Sequence, residues 1–291
     1  MHLWKLCGKP LFAAAVVSLG LLAGATPARA SGHGPVFGLA TPTNARGAWA
    51  LDTGVMGRKG RGATGVMWRS MLTFGITEDL QVSASFPAVF SSAPFAPSRT
   101  TGMMPGNGDV EGLLAWRFHR EGTDIGSRFE STAYGGLIYP GPQRPPGMLG
   151  ELKRAPGFWS AVSTGFASRS HYLWGGIGYS RFAEAEGDQR PDLLFYSFVW
   201  AYRPPAWRKD YPDWDWRFFV ELTGERSGKA RHRGAEVTGT GGHQLFLGPS
   251  TLGIYKNYAI EAGIQFPVYR DVGALHQQER FRFAVNLSYF F

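Results

Sequence analysis

The sequence predicts an all-β protein: a transmembrane antiparallel up-and-down β-barrel of about 12 strands, preceded by a cleaved signal peptide. Three observations predict it. Bulky apolar residues alternate with small or charged ones in segments that recur at regular intervals. The connections between these segments alternate between short and long. Aromatic residues gather at one end of the segments, where a membrane interface would lie.

Residues 1–30 read as the signal peptide. Lys5 and Lys9 form a basic start, "LFAAAVVSLGLLAGA" is an apolar core, and Ala28-Arg29-Ala30 is a small-residue cleavage site. The single cysteine, Cys7, falls within it, so a mature chain starting at Ser31 must close its fold without disulfides. Cleavage removes three basic residues and lowers the formal charge from +8 to +5, 27 basic against 22 acidic. The basic residues are dispersed, and an exported chain of this kind is not expected to bind nucleic acid. Beyond the signal the longest clean apolar run is about "LLFYSFVWAY", too short for a helical span. With 40 Gly, 21 Phe, 11 Tyr and 10 Trp, the composition suits many short strands instead.

Residues 31–46 show no alternation yet carry Pro35, Val36, Phe37, Leu39 and Pro42. A disordered lead-in is the usual state of a terminus. The apolar content favours a segment that folds into the lumen and plugs it.

The barrel domain is read as 47–291, in twelve segments: 47–57, 65–76, 79–91, 108–119, 127–140, 156–168, 170–182, 191–203, 213–225, 243–255, 257–268 and 280–291. In the third, Leu80, Val82, Ala84, Phe86, Ala88 and Phe90 point one way and Gln81, Ser83, Ser85 and Pro87 the other. Trp214, Trp216, Phe218, Val220 and Leu222 alternate with Asp215, Arg217, Phe219, Glu221 and Thr223. Tyr258, Ile260, Ala262, Ile264 and Phe266 alternate with Ala259, Glu261, Gly263 and Gln265. Charges between bulky apolar neighbours fit an apolar exterior and a polar lumen. "TED", "EGTDIG", "SRS" and "KN" are the short connections, assigned to the periplasm; the long Gly- and Pro-rich ones are assigned to the outside. "RPPAWRKDYPD" is long for its side. Phe74, Trp116, Phe118, Phe129, Trp200, Tyr202, Trp214, Trp216, Tyr255, Tyr258, Tyr289 and Phe291 then form the girdle at the periplasmic interface. The last segment, "FRFAVNLSYFF", must pair with the first to remove the sheet edges. Its Tyr289 and Phe291 match the terminal aromatic pattern of outer-membrane proteins read by the barrel-assembly machinery.

By parity Asp52, Arg69, Glu111, Arg117, Glu130, Arg217, Glu221, Glu261 and Arg282 face the lumen, where they either screen solutes or hold register. Folding the hairpins about their loop centres places Asp52 opposite Arg69 and Arg117 opposite Glu130. No His or Cys spacing suggests a metal, and no cofactor motif is present. Met56, Met67 and Met71 share the inward parity, with Met103 and Met104 in a loop nearby; packing is the ordinary role, and a soft-metal path the alternative. Ser170-His171, the adjacent Ser/His pair, lies in a short turn without a third partner, which argues against a hydrolase. Arg226, Lys229, Arg231 and Arg233 lie in an external loop, open to solvent or to lipopolysaccharide phosphates.

Two stretches, "HGPVFGLATPTNARGAWALDTGVMGR" and "LTFGITEDLQVSASFPAVF", resemble the opening of the bacterial outer-membrane family named for the MetA pathway of phenol degradation, whose members are described as transporters. The resemblance covers about the first sixty mature residues and carries over no catalytic or ligand residues. It implies a barrel that admits small aromatic or hydrophobic molecules. The expectation from the whole sequence is a monomeric outer-membrane channel in contact with lipid and lipopolysaccharide, passing a small-molecule solute passively. A lipid-modifying enzyme and a structural or adhesive barrel are the alternatives.

Overall fold

The computed structural model describes residues 34–60, 64–90, 108–141, 151–210, 212–275 and 278–291. The signal-peptide reading and Met103-Met104 lie outside these residues.

Twelve strands form one closed antiparallel barrel. In chain order they are β1 (Trp49–Gly60), β2 (Thr64–Gly75), β3 (Leu80–Val89), β4 (Val110–Asp124), β5 (Ser127–Tyr139), β6 (Gly157–Ala167), β7 (His171–Phe182), β8 (Leu193–Tyr202), β9 (Asp215–Ser227), β12 (Gly242–Tyr255), β13 (Tyr258–Val272) and β14 (Glu279–Phe290). Two further short strands, β10 (Arg231–His232) and β11 (Ala235–Glu236), form a ribbon inside the long connection after β9. Each wall strand pairs with its sequence neighbours, and β14 closes on β1. Trp49 N–H donates to the Phe291 carbonyl at 2.8 Å and Phe291 N–H returns the bond to Trp49 at 3.0 Å. Closure satisfies the backbone groups that lipid could not.

The packing is inverted relative to a soluble protein. Val82, Leu114, Ile177, Phe198, Val220, Phe266 and Leu287 are exposed on the outside, while Asp52, Glu111, Glu221, Glu261 and Arg282 are buried within. This is the alternation of a transmembrane barrel, one face toward lipid and one toward the lumen. At the short-turn end the outer rings touch in sequence around the wall. Trp49 lies 4.6 Å from Phe74 and 6.3 Å from Phe291; Tyr289 lies 5.7 Å from Phe291 and 4.9 Å from Tyr258; Trp214 lies 5.2 Å from Tyr255.

Register departs from the sequence reading in two places. Asp52 faces Met71, and Arg69 faces Gly54, because the first hairpin turns one residue later than its presumed centre. Asp52 accepts a hydrogen bond from Ser288 Oγ at 2.5 Å across the closing seam. Arg117 faces Thr132 rather than Glu130, because this hairpin turns later than its presumed centre, between Asp124 and Ser127; a bulge between Arg117 and His119 takes back part of that shift. The ion pair still forms, with Arg117 Nη1 3.2 Å from Glu130 Oε1 along the diagonal. β4 also runs to Asp124, so its turn is tighter than "EGTDIG" suggested, with Gly126 at φ 77°.

Candidate functional site

Ahead of β1 the chain turns inward and runs up the lumen from the short-turn end. Gly75 permits the crossing, since a Cβ there would stand 2.0 Å from the Ala45 carbonyl oxygen. Asn44 N–H donates to Gln81 Oε1 at 2.7 Å, Thr43 Oγ1 to the Glu78 carbonyl at 2.9 Å and Thr41 Oγ1 to Glu130 Oε2 at 3.2 Å. Thr132 Oγ1 donates to the Thr41 carbonyl at 2.6 Å, and the Tyr134 hydroxyl to that of Ala40. Leu39 N–H donates to Ser197 Oγ at 3.0 Å. Each of these bonds uses a side chain on one partner, so the segment is docked on the wall without joining the ladder.

Glu221 anchors the far end of the segment. Fully buried in β9, it accepts the N–H of Val36 at 3.0 Å on Oε1, those of Phe37 and Gly38 at 2.8 and 2.7 Å on Oε2, and the Ser250 hydroxyl. Three successive amides converging on one carboxylate form an anion cradle. Gly38 is required there, because a Cβ would meet Val199 Cγ2 at 2.3 Å. The wall is thinned to match. Gly263 lies under the Phe37 ring and Gly176 under Leu39, where added Cβ atoms would stand 2.7 and 2.8 Å away.

The apolar side chains of the segment then fill the lumen. Val36 and Phe37 pack with Met56, Met67 and Ala284, and Leu39 with Leu113, Ile138, Trp159, Ala161 and Phe195. Burial of each contributes roughly 1.5–3 kcal/mol. Met71 packs beside the Leu39 cluster, so all three inward methionines of β1 and β2 pack in clusters that hold residues of this segment.

All nine charges expected in the lumen lie on the inner face, but they divide into layers. Glu221, Asp52 and Glu261 occupy the middle, and Asn286 Nδ2 donates to Glu261 at 3.3 Å. Toward the long-loop end, Arg282 makes a bidentate pair with Glu225 at 2.6 and 2.9 Å, bonds Glu279 at 2.6 Å and lies 3.5 Å from the Phe246 ring centroid. Arg58 joins Glu279 at 3.4 Å. Arg58, Glu225 and Glu279 extend the predicted set. Glu225 shares the parity of Glu221, but Arg58 and Glu279 lie just beyond the segments marked in the sequence. At the short-turn end Arg117 bonds Asp79 and Glu130, and Arg217 bonds Asp215 at 3.2 Å.

The loop end is laced by ions. Arg190 Nη1 lies 2.6 Å from Asp109, which Arg154 also bonds. Asp188 accepts the backbone N–H groups of Lys153 at 2.9 Å and Arg233 at 2.8 Å, and lies 2.9 Å from His232 Nδ1. Those amides hold the Asp188 carboxyl below the ordinary carboxylate range. In the β10–β11 ribbon Lys229 pairs with Glu236 at 2.9 Å. Ser170 and His171 do not form a catalytic pair: Ser170 Oγ accepts from Arg208 at 3.4 Å, while the His171 ring stacks on Tyr202 at 5.0 Å. Among the described residues no group of His, Cys, Asp or Glu has the geometry of a metal site.

Fold and interior together define a transmembrane β-barrel of the outer-membrane kind, with its own N-terminal segment docked in the lumen. The chain is similar in structure to an outer membrane channel from Pseudomonas putida F1, with a TM-score of 0.59, 10% identity, and coverage of 86% of this chain and 97% of that one. It is also similar to the NanC porin, at a TM-score of 0.50, 9% identity, and coverage of 82% and 98%. LpxR from Salmonella typhimurium aligns with a TM-score of 0.49 at 10% identity over 83% and 100% of the two chains. At these identities the likeness is one of fold. No protein-family description and no curated protein matches the sequence, so the phenol-pathway resemblance stands on its quoted residues.

Proposed function

We propose that the chain is an outer-membrane channel for the passive passage of small molecules, without catalytic activity, in which the segment from Gly34 to Asn44 acts as a plug. Within that reading it belongs to the phenol-pathway family that its opening resembles, and its solutes are aromatic or hydrophobic. The short turns face the periplasm and the long loops the exterior, with lipid around the apolar belt and lipopolysaccharide at the basic loop. Tyr289 and Phe291 serve recognition by the assembly machinery. The protein works as a monomer.

The observation that carries this reading is the manner of docking. The plug is bound through side chains and is continuous with the wall only at β1, so it can leave while β14 and β1 stay paired.

The test is conductance of the refolded protein in a planar bilayer, with and without residues 31–46. Steps that appear or enlarge on deletion support a plugged pore, and their reversal potential in a salt gradient reports the lumen charges. Silence in both forms of a demonstrably folded barrel overturns the channel and returns the enzymatic and adhesive alternatives.

A further inference from the structure

At the short-turn end, below the plug, the lumen widens into a cavity of about 400 Å³. Arg117, Arg120, Arg128, Arg169, Arg203 and Arg217 all line it. They come from five separate strands or turns, and no single stretch of sequence is basic. The carboxylates among them are too few. Glu130 is shared by Arg117, Arg120 and Arg128, at 3.2, 3.7 and 2.9 Å. Asp215 is shared by Arg203 at 2.6 Å and Arg217 at 3.2 Å. Asp79 serves Arg117, and Glu78 lies on the rim. Six guanidinium groups against four carboxylates leave an excess of two positive charges in a concave site. Concave walls of low dielectric focus that excess.

The floor of the bowl is apolar and aromatic. Tyr172 and Trp174 stack at 5.3 Å, both buried, and Ile254 and Phe290 complete it. The Trp174 indole N–H is buried with no hydrogen-bond partner among the described residues. Arg217 lies 5.5 Å from the Tyr172 ring centroid and leaves its own Nε–H without an acceptor. The Arg169 side chain passes close over Gly126 at the rim, where an added Cβ would stand 2.5 Å from its Nε. A flat aromatic body on this floor would bring a carboxylate up to the arginine rim, where planar forks accept it bidentately.

We propose that this bowl is a binding site for a small aromatic carboxylate. It deepens the channel reading, on which it rests for its place along a route of passage. Binding needs no conduction, however, and is measured apart from it.

The experiment is calorimetric titration of the full mature protein, folded in detergent micelles, with benzoate, benzyl alcohol and acetate. Benzoate is expected to bind saturably at one site, and the neutral alcohol and the ringless acid at least about tenfold more weakly. The Arg120→Gln/Arg169→Gln double variant removes rim charge from exposed positions that the fold does not need. It is expected to weaken benzoate about tenfold or more. Lys229→Gln, in the loop end, leaves binding unchanged. No benzoate binding, equal binding of the alcohol or of acetate, or an unaltered double variant would each overturn the proposal. Those outcomes leave the bilayer test of the channel standing, and a silent bilayer leaves the binding result standing.

Discussion

Replacing Glu221 by Gln probes the plug with almost no change in volume. The carboxylate places two acceptor oxygens against Val36 N–H and Ser250 on one side, and Phe37 and Gly38 N–H on the other. An amide offers one oxygen. If that oxygen keeps Phe37 and Gly38, the amide nitrogen confronts Val36 N–H, two donors with no acceptor between them. Ser250 can rotate to accept, but Val36 N–H cannot, and a buried orphaned donor costs roughly 1–3 kcal/mol. The surviving bonds also lose their ionic strength, while the neutral amide is cheaper to desolvate, so these two effects oppose each other. The geometric mismatch remains as the net. It corresponds to roughly a ten- to hundredfold fall in the ratio of docked to undocked plug. Hydrogen exchange of the peptide spanning residues 34–44 reads this ratio directly, and exchange should speed by that factor while the wall strands keep their protection. Single-channel recordings should show a matching rise in open time. Unchanged exchange at Val36, Phe37 and Gly38 would refute the argument that Glu221 holds the plug.

Two further outcomes follow from the ion networks. Arg282→Ala removes the cation shared by buried Glu225 and Glu279, and removal of one partner from such a buried pair costs roughly 3–5 kcal/mol. The heat-induced unfolding temperature of the refolded barrel should fall, and Arg282→Ala/Glu225→Ala should recover part of the loss; an unmoved transition contradicts the network's role. Asp188 predicts an acid limit on loop order, since its folded-state carboxyl is held low by the Lys153 and Arg233 amides. Its contribution is therefore complete above the unfolded value of about 3.9 and is lost as the pH falls through the lower folded one. Pepsin cleavage within 228–240 should rise below about pH 4 in the native protein. Asp188→Asn should show the same cleavage at all pH values where pepsin acts, and a native profile in that variant counts against the assignment.

What was legible in the sequence was what depends on parity. Phe281, Phe283, Val285, Leu287 and Tyr289 face outward while Arg282, Ala284, Asn286 and Ser288 face inward, because side-chain direction alternates with every residue of an extended chain whatever it pairs with. Strand count, the aromatic girdle and the inner placement of all nine charges follow from that local rule. Pairing does not. Asp52 lost its expected place opposite Arg69 through a one-residue shift of a hairpin centre, and Arg117 met Glu130 only across a bulge. The hairpin shift leaves the alternation intact and so no mark in it, whereas the bulge turns Arg120 to the same inner face as Arg117, against the parity of an unbroken strand. The plug was suggested by Val36, Phe37 and Leu39, but its anchor is Glu221, 184 residues from Phe37. The arginine bowl is more distant still from any local pattern, since its members sit at the ends of separate strands and in separate turns. Alternation is set within one strand and was determined by the sequence alone. Register, the Glu221 cradle and the basic bowl exist only once the barrel closes, because closure is what brings the inner faces of distant strands around a common lumen.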